Sequence, residues 1–357
     1  MQQKSGLEFV KNQQEKVIPE QTHPEDISLI SSTFYRLLQL SDYIAITRPL
    51  LLIPVWTMLF LGYYKSIAEN LNHKVSLPII GELSIILKPD KGIITTFILY
   101  SLLMGAIYIL NQLSDINTDK INGKLYLVYQ GYIDKKRLKI QIISMLLVSV
   151  TISLLVYTLS YLYLIILSIV IGIMYSVTPF RLKGRPFFDL IANAFGFGIV
   201  AFAVGWASRS EMSTDMILSS IPYVICVAAA FINTTIPDIK GDVQNGDITT
   251  GAFLGIPKAC ITSTILLTSV PVISWFLRDF IAMSASIISL PFFIYMTFKN
   301  LNEKSPDIKA VILATKISLL TLSIFVAIFM PFYFVLLFIT ILFIRLYYHS
   351  RFGISYP

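Results

Sequence analysis

Between residues 43 and 344 the sequence repeatedly runs for about 20 residues with almost no charge, the length a helix needs to cross the hydrocarbon of a bilayer. The runs are Tyr43–Tyr63, Ile93–Leu113, Ile140–Thr158, Tyr161–Val177, Phe188–Ala207, Ile217–Ile236, Ala259–Leu277 and Phe280–Phe298. A last stretch, Ala310–Ile344, carries Pro331 near its middle, which removes a helix hydrogen bond and either kinks or breaks it. A soluble domain cannot hide this much apolar surface: the 357 residues are 55% hydrophobic and 14% charged, with mean hydropathy +0.72. No alternation at period two is visible, which excludes an outer-membrane barrel. The expectation is an all-α polytopic membrane protein of nine transmembrane helices, or ten if Pro331 breaks the last run.

Residues 1–41 are polar, lack a signal-peptide pattern and read as a cytosolic or interfacial tail; residues 42–350 read as one transmembrane domain. Basic residues are sided. Lys120, Lys124, Lys135, Lys136, Arg137, Lys139, Arg181, Lys183, Arg185 and Lys240 fall in one set of loops. The other set holds chiefly Lys65, Lys74, Lys88, Lys91, Arg209 and Arg278, so the first set is expected to face the cytoplasm, in the cell (inner) membrane. Cys226 and Cys260 sit in or beside apolar runs and imply neither a disulfide framework nor a zinc site. His23, His73 and His349 belong to no motif. Nucleic-acid and phosphate-loop signatures are absent.

The polar residues that remain are concentrated at helix ends on the inward side. Asn111-Gln-Leu-Ser-Asp115-Ile-Asn-Thr-Asp119 places three oxygen-bearing side chains four residues apart, on one helical face. Paired carboxylates repel unless a cation stands between them, and magnesium suits oxygen ligands shared with a phosphate. Asp238 and Asp242 repeat the spacing after the sixth run, beside Gly241 and Gly246. Each motif alone also fits an acidic loop where a helix leaves the bilayer. Between them lies Tyr175-Ser176-Val-Thr-Pro179-Phe-Arg181-Leu-Lys183-Gly-Arg185, followed by Asp189 and Asn193. Arg181 and Lys183 suit phosphate oxygens, although topology alone also puts basic residues here. Tyr108, Tyr175 and Phe231 offer aromatic faces to an allylic cation.

In order and spacing these motifs resemble the UbiA superfamily of intramembrane prenyltransferases. The likeness rests on Asn111/Asp115/Asp119, on Tyr175/Ser176/Pro179/Arg181/Lys183 and on Asp238/Asp242. Arg48-Pro49 and the run Gly241-Asp242 to Leu254-Gly255 add to it, so that it extends over about residues 42–260. The resemblance implies helices around a central cavity capped by cytoplasmic loops. It implies Mg2+ held by Asp115, Asp119, Asp238 and Asp242, with Arg181 and Lys183 completing the catalytic set. Arg48, Asn111, Lys124, Tyr126, Tyr175, Ser176, Asn193 and Lys240 would contact substrate. The reaction implied is transfer of a prenyl group from an isoprenyl diphosphate to a lipophilic or aromatic acceptor in quinone, carotenoid or related lipid synthesis, through an allylic cation. Membrane lipid is the remaining expected partner.

The sequence departs from the family where many members have Asn-x-Lys-x-Arg-Pro. Here Asn122-Gly-Lys124-Leu-Tyr126 carries tyrosine in place of the arginine, a change on the expected acceptor side. The segment from Arg181 to Asp189 is more similar to the branch holding carotenoid elongases and chlorophyll- or tocopherol-type synthases. Two other readings remain open. One uses the same site to cyclise or hydrate an isoprenoid without a separate acceptor. The other is a transporter, suggested by Pro54, Pro222, Pro271 and Pro291 within apolar runs.

Overall fold

The computed structural model describes residues 29–67, 74–77, 81–116, 119, 126–302 and 306–356, without side chains for residues 29–35, 74–77, 81–83, 126 and 129. Lys124 and most of the expected N-terminal tail lie outside the described residues. Among the described residues ten helices are long and apolar enough to cross a membrane. In chain order, α1 is Leu29–Ala45, α2 Pro49–Ile67, α3 Lys91–Ser114, α4 the short Tyr126–Tyr129, α5 Lys135–Val156 and α6 Leu159–Ser176. Next come α7 over Phe188–Ala207, α8 Thr214–Thr235, the short α9 Ile239–Gln244 and α10 Thr250–Leu254, α11 Ile256–Phe276, α12 Phe280–Lys299, α13 Ile308–Phe329 and α14 Pro331–Phe352. The ten are α2, α3, α5 to α8 and α11 to α14, the sixth of them continuing from α8 through α9 to Gln244.

The ambiguous last run is two helices. Met330 leaves helical geometry at φ −132° and ψ 77°, and Pro331 opens α14 at a position where its missing N–H costs nothing. The first span begins later than the hydropathy suggested. Arg48 takes a left-handed φ of 54°, which ends the α1 segment and lets Pro49 start α2. One small addition to the helical frame is an antiparallel hairpin of β1, Lys74–Leu77, and β2, Gly81–Ser84. The Tyr64 hydroxyl accepts from the Ser84 amide at 3.1 Å, and the Ile86 amide donates to the Phe329 carbonyl at 2.7 Å, so the segment after α2 is tied to α2 and α13.

Helix contact depends on small residues where backbones meet. A Cβ at Gly62 would stand 1.8 Å from the Phe202 carbonyl oxygen, and one at Gly205 would stand 1.8 Å from that of Leu59. Glycine at both positions therefore sets the α2–α7 distance, as small residues do between helices that gain little from burying apolar surface away from lipid. The centre of α7, Ala194–Ala201, is π-helical. By contrast α5 shows Ile140, Ile143, Leu147, Leu154 and Leu155 on its exposed face, the surface expected against acyl chains.

The two ends of the bundle carry different chemistry. At one end Lys65 Nζ lies 2.9 Å from Asp279 Oδ2, Tyr223 donates to Asp279 Oδ1 at 3.0 Å, and Arg209 pairs with Asp90 at 3.2 Å. Helix α3, about 36 Å long, starts there and delivers Asp115 to the opposite end. The acidic motifs gather at that opposite end.

Candidate active site

The first motif does not sit in an unbroken helix. Helix α3 stops at Ser114 and Asp115 caps it, yet the Asp119 amide donates to the Asp115 carbonyl at 2.8 Å, which keeps the two acids of the motif close together. Asn111, inside the last turn of α3, donates from Nδ2 to Ser176 Oγ at 3.1 Å and so joins the first motif to the end of α6. The second motif follows α8 through a single 3-10 turn, Ile236–Asp238, with Pro237 inside it, and Asp242 lies within α9.

Both motifs line one cavity of about 830 Å³. Asp115, Asp119, Asp238 and Asp242 face it together with Arg48, Asn111, Tyr175, Ser176, Lys183 and Asn193. Its inner reach is lined by Met58, Tyr100, Met104, Ile107, Gly172 and Leu322, which makes one end ionic and the other largely apolar. Tyr108, Tyr175 and Phe231 all lie on the wall, with the Tyr108 hydroxyl fixed to the Leu51 carbonyl at 2.9 Å. Lys240 is instead exposed and off the cavity wall; α9 turns it outward while presenting Asp242. Tyr126 opens α4, and its side chain lies outside the described residues.

The basic segment is folded onto the acids. Lys183 Nζ is ion-paired with Asp115 Oδ1. Burial pushes the Lys183 ammonium below its ordinary range, and the Asp115 charge partly offsets this. Arg181 donates from Nε and Nη2 to the two oxygens of Asp247 at 2.8 and 2.6 Å, and its Nη2 is 3.5 Å from Asp115. The Asp247 hydrogen bonds hold the Arg181 guanidinium above its usual value despite its partial burial. For Asp247 itself, burial pulls upward, but hydrogen bonds from Arg181 and Asn245 outweigh it and keep the carboxyl below its ordinary range. Arg48 is pushed down by burial and partly restored by Asp119, whose Oδ2 is 3.9 Å from Arg48 Nη2, and by Asp115.

Sequence spacing brought out neither Asp247 nor the 348–356 segment. Asp247 is a fifth carboxylate on the wall, five residues beyond Asp242 and so off the four-residue ladder; its partner Arg181 is 66 residues away in the chain. Tyr348, Ile354 and Tyr356 close one side of the cavity. They are carried there by Asp42, which accepts from Tyr347 at 2.5 Å and from Arg351 at 3.1 Å. Asp189, quoted with the basic segment, is fully buried: it accepts from the Thr250 amide at 2.7 Å and from the Thr250 hydroxyl, fastening α7 to α10.

Among the described residues no three acids, histidines or cysteines stand close enough to hold a metal ion by themselves. The donor set is nonetheless all oxygen and divided between two motifs on one wall. That suits a hard cation that completes its coordination with phosphate and water oxygens, the usual habit of magnesium.

Comparison with known proteins gives the same frame. A family model described as the UbiA prenyltransferase family matches residues 85–315. Digeranylgeranylglyceryl phosphate synthase of Sulfurisphaera tokodaii is 28% identical over 188 residues, 51% of this chain, and the match spans 65% of that relative's length. A solved structure of a UbiA homologue from Archaeoglobus fulgidus bound to GPP and Mg2+ superposes with TM-score 0.56 at 17% identity, covering 81% of this chain and 99% of the other. The apo structure of a UbiA homologue from Aeropyrum pernix K1 gives TM-score 0.56 at 15% identity, over 76% and 95% of the two chains.

Proposed function

The chain belongs to the UbiA prenyltransferase family and is a multi-pass membrane prenyltransferase, and on that premise we propose that it moves a prenyl group from an isoprenyl diphosphate to a lipophilic or aromatic acceptor in a magnesium-dependent reaction. One observation carries this reading: the two aspartate motifs, Lys183 and Arg48 line the ionic end of a single cavity whose other end is apolar. Such a cavity matches a donor that is a dianionic or trianionic head on a hydrocarbon tail. The relative from Sulfurisphaera tokodaii is named as a synthase of digeranylgeranylglyceryl phosphate, a lipid product, which supports a lipid acceptor here.

The four motif aspartates would hold Mg2+ jointly with the diphosphate, and the ion would supply charge neutralisation for the leaving group. Lys183, already at the wall, would hold a diphosphate oxygen as a point charge. Tyr108, Tyr175 and Phe231 would face the allylic cation with their rings, and the apolar inner wall would keep water from it. Grouping of the acids at one end of the bundle favours this over transport, for which a midplane site is expected. Lys135, Lys136, Arg137 and Lys139 open α5 on the same side as the acids, which supports a cytoplasm-facing site in the cell membrane.

The test is pyrophosphate release from geranylgeranyl diphosphate by the purified protein in lipid, with and without Mg2+ and with and without a lipid extract. Release that needs both metal and extract is the expected result, and the prenylated product identifies the acceptor. Release independent of the extract would replace transfer by cyclisation or hydrolysis, and none with donors of any length would remove the reading.

A further inference from the structure

The geometry assigns Arg181 a positioning role: its guanidinium clasps Asp247 and Asp115 and thereby sets how the two acidic motifs face one another, while Lys183 is left as the cation of this segment that meets the ligand. The inference refines the diphosphate site proposed above and rests on that reading. Arg181 spends Nε and Nη2 on the forked pair with Asp247, at 2.8 and 2.6 Å, and turns Nη2 toward Asp115 at 3.5 Å. Both carboxylates and Lys183 line the cavity, whereas Arg181 stands behind them. Asp247 is in turn bound to the second motif, because its amide donates to the Asp242 carbonyl at 2.9 Å, and Asn245 Nδ2 reaches its Oδ2 at 3.1 Å. One guanidinium therefore bridges the end of α3 to the turn after α9.

The backbone is shaped around this clasp. Arg181 itself takes a left-handed conformation, φ 39° and ψ 58°, which a side chain adopts only when its surroundings enforce it. Gly184 leaves the space that Asp247 enters, since a Cβ there would come within 2.4 Å of Oδ1, and the Ile248 amide donates to the Gly184 carbonyl at 3.1 Å. Without the guanidinium, Asp115 and Asp247 would be two partly buried carboxylates competing for Lys183. The ammonium would then be drawn away from the ligand.

The test is a double-mutant cycle of Arg181→Met and Asp247→Asn in the full chain. It is read by the thermal shift on adding Mg2+ with inorganic pyrophosphate, and by KM for geranylgeranyl diphosphate. Each single variant should weaken binding about tenfold, the worth of one charge-assisted hydrogen bond, and the double variant should be no worse than the poorer single. Arg181→Lys should fail to restore affinity, because an ammonium cannot make the fork. Gly184→Ala reaches the clasp from its other side, should give the same loss, and serves where Arg181→Met does not fold. A phosphate-ligating arginine would behave differently: Asp247→Asn would leave affinity unchanged, and the losses from Arg181→Met and Gly184→Ala would be unrelated. That pattern, or additive losses in the cycle, overturns the assignment. A wild-type protein that binds magnesium pyrophosphate but turns over no prenyl diphosphate overturns the prenyl-transfer reading instead, and the cycle is still read by thermal shift.

Discussion

At the residue scale the site is a balance of charge in which five wall carboxylates outnumber the three cations that contact them among the described residues, Arg48, Arg181 and Lys183. Asp115 is the centre of that balance, paired with Lys183 and within 3.5 Å of Arg181. Asp115→Asn should keep the protein folded and inserted while lowering turnover by at least about a hundredfold, since it removes a shared carboxylate and frees Lys183 from its partner. Steady-state rates at saturating Mg2+ check this, and a rate within a few-fold of wild type would remove Asp115 from the machinery. Lys183→Met should act differently: a higher KM for the prenyl diphosphate, about tenfold or more, with weaker inhibition by free pyrophosphate. That the four motif carboxylates and Lys183 belong together was legible only from the ordered set of motifs, since each four-residue spacing alone also fits an acidic loop at a helix end; the structure places all five on one cavity wall. Asp247 was not legible, because its place depends on a contact with Arg181 across 66 residues that no local period encodes. Lys240 misled for the complementary reason. It lies in the right segment, but the turn of α9 that points Asp242 inward points Lys240 out.

At the element scale, hydropathy located the spanning helices but not their exact ends. The ends are set by backbone geometry, as at Arg48 before α2 and Met330 before α14, and composition is blind to both. Strands of four residues between two spans leave no periodic trace, so the hairpin was equally invisible. Close approach of α2 and α7 is likewise written in two single glycines. Gly62→Ala and Gly205→Ala should each destabilise by about 1–3 kcal/mol or more, because the new methyl meets backbone that cannot rotate away. Gly196→Ala is the control: its nearest neighbouring atom would be 3.9 Å off, and its melting temperature should stay near that of wild type. Thermal unfolding of the three variants in the same detergent separates these outcomes, and equal melting temperatures would show that α2 and α7 are not held by glycine contact.

At the scale of the whole molecule, each end of the bundle is fastened by a buried ionic cluster, and only one of the two clusters adjoins the site. Asp42 joins α1 to α14 through Tyr347 and Arg351, next to Tyr348 on the cavity wall. Asp279 joins the start of α12 to α2 and α8 through Lys65 and Tyr223 at the far end of the bundle. Removing one partner of such a pair leaves a buried charge uncompensated, a loss of about 3–5 kcal/mol in either place. Asp42→Asn and Asp279→Asn should therefore lower thermal stability to similar degrees. Their effects on catalysis should diverge when both are assayed well below their melting temperatures. Asp279→Asn should keep wild-type KM values, because nothing it touches reaches the cavity. Asp42→Asn should raise KM for the acceptor or the donor, because it releases the helix end that carries Tyr348, Ile354 and Tyr356 against the site. Equal kinetics in the two variants would mean that the 348–356 segment covers the cavity without shaping what binds there.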